Sequence, residues 1–372
     1  MSGKKRMANL ELLRCVAMMM VVVLHYLGKG GLLPDLKTES MDRAGVAAWM
    51  LESFCCVAVN VYMFISGYFL CTSSFKLSRL LRLLIQIWLY SAAFGVLGAA
   101  TGVIEETPVD IHYFLTLIFP VSMGHYWFMT AYVFLYLLLP FVGSAVKRMT
   151  KQQMQLALCL LFGMFCILKS VLPLQLEMDG EGYDCLWYLC VFVAAVYVRR
   201  FGISFLKKRG RALCLYVVCS LLIFGGTMGL RQIYLCTGRL EKTLSVCMEY
   251  NHLLPFLAAM GLFLFFSALK INEKAANIIN KISPYTLGVY LLHENLGLRY
   301  TWPRWLGADR VSGVPSLILW TLLAAVCVFV CGILTDMLRA GVMGLFQRLL
   351  SGWPVYRRLT DKVAAADELF RE

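Results

Sequence analysis

Long apolar runs, separated by short polar or basic segments, occupy most of the chain. A helix crossing the hydrocarbon layer needs about 20 mostly apolar residues. Ten stretches meet or approach that length, near 9–28, 44–71, 77–101, 126–143, 153–172, 183–199, 211–229, 253–269, 283–299 and 314–338. The pattern predicts an all-α, polytopic membrane bundle of about ten transmembrane helices over residues 1–338. A tail over 339–372 follows, amphipathic and basic at first and then polar. The stretch 111–123 (IHYFLTLIFPVSM) is too short to span and carries Pro120, so it is expected at the membrane interface together with 339–358.

Composition agrees, with 60% hydrophobic and 15% charged residues and a mean hydropathy of +0.71, values that exclude a water-facing globular protein. The net charge of +13 would suggest nucleic acid in a soluble chain. Here it reads as the cytoplasmic excess of Lys and Arg in membrane proteins, with no nucleic-acid partner. With the N-terminus placed inside, alternate loops carry 24 basic residues inside and 9 outside, which predicts a multi-pass protein of the cell membrane with both ends cytoplasmic. Glu105, Glu106, Asp110, Glu177, Asp179 and Glu181 then fall outside. Glu11 and Arg14 interrupt the first apolar run, so it is expected to remain as a helix rather than to be cleaved. The fourteen cysteines show no CxxC spacing and read mostly as small core residues. Cys236 and Cys247 allow an external pair, although nothing in their spacing requires one.

Ionisable groups within a span are costly in lipid and mark functional positions. Arg14 and His25 are eleven residues apart on the first helix, which brings them within about 20° of the same face and roughly 16 Å apart along the axis. Two readings stay open: a polar stripe joining the two faces of the membrane, or an arginine snorkelling inward beside Glu11 and a histidine at the outer interface. His25, His112, His125, His252 and His293 all fall in the outer half or outer loops, where an imidazole can take a proton from a hydroxyl. Asn60 needs a partner inside the bundle, Ser66 lies near the inner mouth, and Gly67 permits close backbone approach. Arg79 and Arg82, at i and i+3, are either a phosphate clamp or inner-face anchors. No metal-ligand cluster is evident.

The Arg14–His25 spacing, VNVYMFISGYFL at 59–70, the SRLLR run, HYWFMTAYVFLYLLLP at 125–140 and ISPYTLGVYLLHE at 282–294 occur in the order that resembles integral-membrane acyltransferase family 3, from about residue 10 to 338. The resemblance implies a ten-helix protein that takes an acyl group, often acetyl, from cytoplasmic acyl-CoA. The acceptor would be a hydroxyl of a cell-surface glycan or a related molecule. It makes Arg14 and His25 the essential pair, with His25 as general base or transient acyl carrier. Arg79, Arg82 and Ser66 fall on the CoA side, and Asn60, Trp127 and His293 become substrate-binding candidates. Acyl-CoA is then a donor substrate, with no bound cofactor and no metal. Tyr62-Met63 departs from the family's more usual aromatic pair, and no hydrolase-like domain is appended. The fold is also similar to the membrane half of vancomycin-resistance serine racemases, which keeps a small-molecule or amino-acid transporter as the alternative. No racemase domain follows residue 338, which excludes racemisation.

Overall fold

The computed structural model describes residues 6–38, 40–102, 108–172 and 180–370, and among them every regular element is helical. Glu105, Glu106, Glu177 and Asp179, with Lys4, Lys5 and Arg371 of the basic count, lie outside the described residues. The first half contains α1 (Ala8–Lys29), α2 (Arg43–Cys55), α3 (Ala58–Leu70), α4 (Leu77–Thr101), α5 (Ile111–Ile118), α6 (Trp127–Arg148), α7 (Lys151–Phe162) and α8 (Leu168–Val171). A π turn, Gly163–Ile167, joins the last two. The second half contains α9 (Cys185–Phe201), α10 (Arg209–Thr237), α11 (Leu253–Ser267), α12 (Glu273–Ile282), α13 (Thr286–His293), α14 (Trp302–Trp305), α15 (Val314–Leu350) and α16 (Pro354–Glu368).

Eight helical segments among the described residues are long and apolar enough to cross a membrane. The other two expected spans are shorter. The stretch 183–199 forms α9, of 17 residues, which Asp184 starts by accepting from the Trp187 amide at 2.7 Å. The stretch 283–299 contains only the 8 residues of α13. Its continuation is diverted because the Asn295 amide donates to Tyr90 O and Tyr126 Oη while its Oδ1 accepts from Gly297 N, so the backbone leaves the helix in turns. The last span also differs from expectation: α15 runs unbroken for 37 residues, past 338 to Leu350, about 55 Å at the usual helical rise.

The first helix, α1, lies at the centre and packs on α2, α3, α11, α13 and α15. Small residues let the surrounding helices close on it, since lipid gives no hydrophobic push between helices and van der Waals contact must hold them. A Cβ on Gly67 would lie 2.8 Å from Ala195 Cβ, and one on Gly332 would lie 2.5 Å from Val289 Cα. The α3–α9 and α13–α15 crossings therefore depend on those glycines. On the outside, α4, α10 and α15 expose Leu97, Leu222, Leu319, Leu322 and Leu334, an apolar surface that suits lipid and not water. The short stretch 111–123 contains α5, with Ile111 and Ile118 exposed and Phe119, just past its end, exposed as well.

At one end of the bundle α16 returns to the start of α4. The Asp367 carboxylate accepts from Ser78 N at 3.0 Å and Ser78 Oγ at 2.5 Å, and Phe370 meets Phe75 edge-on at 5.0 Å. Burial pushes the Asp367 acid up, but the Ser78 and Leu77 donors and the nearby Lys76 outweigh it and hold the pKa below the usual range. A depressed carboxylate stabilises its contact above the unfolded pKa and loses that contribution as pH falls through the folded value. We therefore expect spin labels on α16 and α4 to keep their spacing down to about the ordinary Asp pKa of 3.9 and to separate below it. Asp367→Asn should separate them at neutral pH. A spacing that ignores both acid and substitution would remove Asp367 from the docking.

Candidate active site

Arg14, Met18, Val21 and His25 follow one another at steps of four, three and four along α1, so the helical period brings them to one stripe. That stripe lines a single cavity of about 230 Å³. The second wall is α3, with Tyr62 and Ser66 one turn apart. Arg79 and Leu80 of α4 close the Arg14 end, and α6 contributes Trp127, Phe128, Met129, Tyr132 and Tyr136. Tyr250, Leu287 and Tyr290 complete the His25 side. The lining is mostly aromatic and aliphatic, with few polar groups, a composition usual for small-molecule sites.

At the Arg14 end, the guanidinium lies 3.6 Å from Glu11, and its buried Nε has no hydrogen-bond acceptor among the described residues. The Tyr62 hydroxyl donates to Arg14 O at 2.8 Å, so this tyrosine ties α3 to α1 in the cavity wall. Arg82 is exposed, donates from Nε to Ser78 O and lies outside the cavity lining.

At the other end His25 Nδ1 faces His293 Nε2 at 2.9 Å, and His293 Nδ1 faces Val289 O at 2.6 Å. A carbonyl oxygen only accepts, so His293 carries its proton on Nδ1. In a neutral ring its Nε2 is then an acceptor, and His25 donates from Nδ1. This assignment comes from the acceptors, since hydrogens are placed by the network. It leaves the lone pair of His25 Nε2 free, with no protein partner among the described residues. Glu294 Oε1 lies 3.2 Å from His25 Nδ1 and also pairs with the Lys29 ammonium. A proton gained at Nε2 would thus be balanced by a carboxylate behind the ring, the logic by which an acid supports a histidine base.

His25, His293 and Glu294 bring three possible ligand atoms within 4.8 Å of one another. The facing nitrogens already share a hydrogen bond, however, and Lys29 supplies the positive charge beside the carboxylate. The remaining histidines have other tasks. His125 accepts from Leu296 N at Nε2, pairs with Ser91 Oγ at Nδ1 and stacks on Tyr126 at 3.9 Å. Burial foremost, then Arg299 and Lys29, push its pKa down to about 3, so it stays neutral. His252 caps α11 by accepting from Leu254 N at 3.3 Å, and His112 is exposed.

Of the residues singled out in the sequence, Arg14, His25, Ser66, Arg79 and Trp127 share the cavity, and His293 lies directly behind His25. Asn60 is fully buried away from it, donating to Tyr250 O at 2.8 Å and accepting from Trp187 Nε1 at 2.9 Å. It positions Tyr250, which does line the cavity. Lys29 and Glu294 were not singled out. Both carried a signal, since Lys29 is one turn beyond His25 and Glu294 follows His293. Cys236 and Cys247 are both free thiols.

A family model described as an acyltransferase domain matches residues 7–336. No curated protein and no solved structure matches the chain.

Proposed function

The chain belongs to acyltransferase family 3 and is a membrane acyltransferase, and on that premise we propose that it moves an acyl group, acetyl by default, from cytoplasmic acyl-CoA to a hydroxyl of a surface glycan or related acceptor. The supporting observation is the one cavity that holds Arg14 at one end and the free lone pair of His25 at the other. The accompanying arrangement is ten membrane crossings, α9 and α13 included, with both termini cytoplasmic and the protein in the cell membrane. The positive-inside bias supports it.

In this reading the phosphates of CoA stay at the basic inner face, near Arg79 and Arg82, because they are too polar to cross lipid. Arg14 holds the donor as its thin pantetheine arm enters between α1, α3 and α6. The acceptor hydroxyl approaches His25 from outside. Nε2 takes the hydroxyl proton as the oxygen attacks the thioester carbonyl carbon, the C–S bond breaks, and the imidazolium returns the proton to the departing sulfur. The products are the ester and free CoA. Apolar walls exclude water that would otherwise hydrolyse the donor. Trp127, stacked with Tyr250 at 5.8 Å, supplies a flat face for the acceptor.

The direct test is CoA thiol release by the purified protein in nanodiscs given acetyl-CoA and a panel of hydroxyl acceptors. The expected result is acceptor-dependent release with ester formation. Movement of a small molecule across the bilayer without consumption of acyl-CoA would overturn the reading in favour of transport.

A further inference from the structure

Arg299 is a half-buried cation with no ion-pair partner among the described residues. It lies in the turns after α13, five residues beyond Glu294, with its guanidinium over the Tyr300 ring at 5.0 Å. The Lys29 ammonium lies over the same ring at 5.8 Å. The Arg299 side chain has no ion pair or hydrogen bond among the described residues, and its buried Nε lacks an acceptor. The carboxylate beside Lys29 is Glu294, already shared with His25. Two cations thus share one aromatic ring near the proposed base, and the one acid there is paired with Lys29 and His25.

Withdrawing a guanidinium nitrogen from water with no acceptor is costly, and such groups call for an explanation. The ring offsets part of that cost by cation–π attraction, but it offers no oxygen to the N–H groups. A carboxylate or phosphate does, because its oxygens match the planar fork of arginine in a bidentate pair and accept from an ammonium as well. We infer that Lys29, Arg299 and Tyr300 form an oxyanion site on the outer side of His25 that selects hydroxyl acceptors bearing a carboxylate or a phosphate. The acceptor role rests on the acyl-transfer reading; the binding of the anion does not. An anchored anion would fix which hydroxyl of a multihydroxyl molecule meets His25, turning position into rate.

The test measures binding of glucuronate, glucose 6-phosphate and glucose to the full-length protein in nanodiscs at low salt, without CoA. Both anions should bind about tenfold or more tightly than glucose, consistent with a charge-assisted pair, and added salt should weaken them. Arg299→Gln should remove that preference, and Arg299→Lys, which keeps the charge but loses the fork, should fall between. Binding of one anion alone identifies carboxylate or phosphate as the group selected. If the wild type shows no preference for either anion, or if Arg299→Gln binds them as well as the wild type, the site is refuted. In the CoA-release assay Arg299→Gln should raise KM for an anionic acceptor at least several-fold more than for a neutral one. Anion binding that depends on Arg299, with no CoA release from the wild type on any acceptor, would keep the site and sink acyl transfer.

Discussion

His25→Ala is expected to insert and fold like the wild type yet transfer the acyl group to an acceptor, with release of CoA, about 100- to 10,000-fold more slowly, the range a positioned general base contributes. The hydrogen-bond chain from Val289 O through His293 to His25 orders two imidazoles so that one lone pair is left, on a residue that lines the cavity. Alanine removes that lone pair and leaves the acceptor hydroxyl with no base to take its proton. Glu294→Gln should cost less, because it keeps the ring in place and removes only the charge behind the imidazolium. Thiol release, with size-exclusion profiles to show intact protein, decides the matter. If His25→Ala kept more than about a tenth of wild-type turnover, proton transfer by this residue would be ruled out, given the lower bound of the base contribution.

Lys169→Met is expected to destabilise the fold by about 3–5 kcal/mol, the cost of stripping one partner from a buried ion pair. Lys169 is 3% exposed at the end of the α7–α8 span, donating to Asn251 Oδ1 at 3.1 Å and pairing with Glu249. Methionine fills much of the volume but removes the Lys169 ammonium from beside the Glu249 carboxylate. The cluster adjoins Tyr250, whose carbonyl Asn60 holds, so the loss should reach the cavity wall as well. The double variant Lys169→Met/Glu249→Gln should recover much of the stability in thermal unfolding, because no buried charge is then stranded. A single variant as stable as the wild type would show that the pair is not desolvated.

Much of the site was legible because helical periodicity is a one-dimensional signal. Arg14 and His25 share a face by arithmetic on their spacing, and they line one cavity. The roles of the histidines were not legible. His25, His125, His252 and His293 read alike along the chain, but His125 and His252 spend ring nitrogens on the Leu296 and Leu254 amides. Only His25 and His293 face each other. Asn60 likewise read as a substrate ligand, whereas its two hydrogen bonds go to Trp187 and Tyr250, partners more than a hundred residues away.

Membership of the membrane class and the approximate places of the long helices followed from composition alone, since a polar backbone in lipid must satisfy itself within each helix, and that condition is local to about twenty consecutive residues. Tertiary structure decided where α13 stops, because Asn295 finds acceptors on α4 and on Tyr126 just before α6, and it decided which nitrogen of His25 holds the proton, because that depends on a carbonyl 264 residues further along the chain. Hydrogen bonds and ion pairs between distant segments leave no periodic trace in the chain. The charge balance around Lys29, Glu294 and Arg299 therefore exists only once the helices have packed.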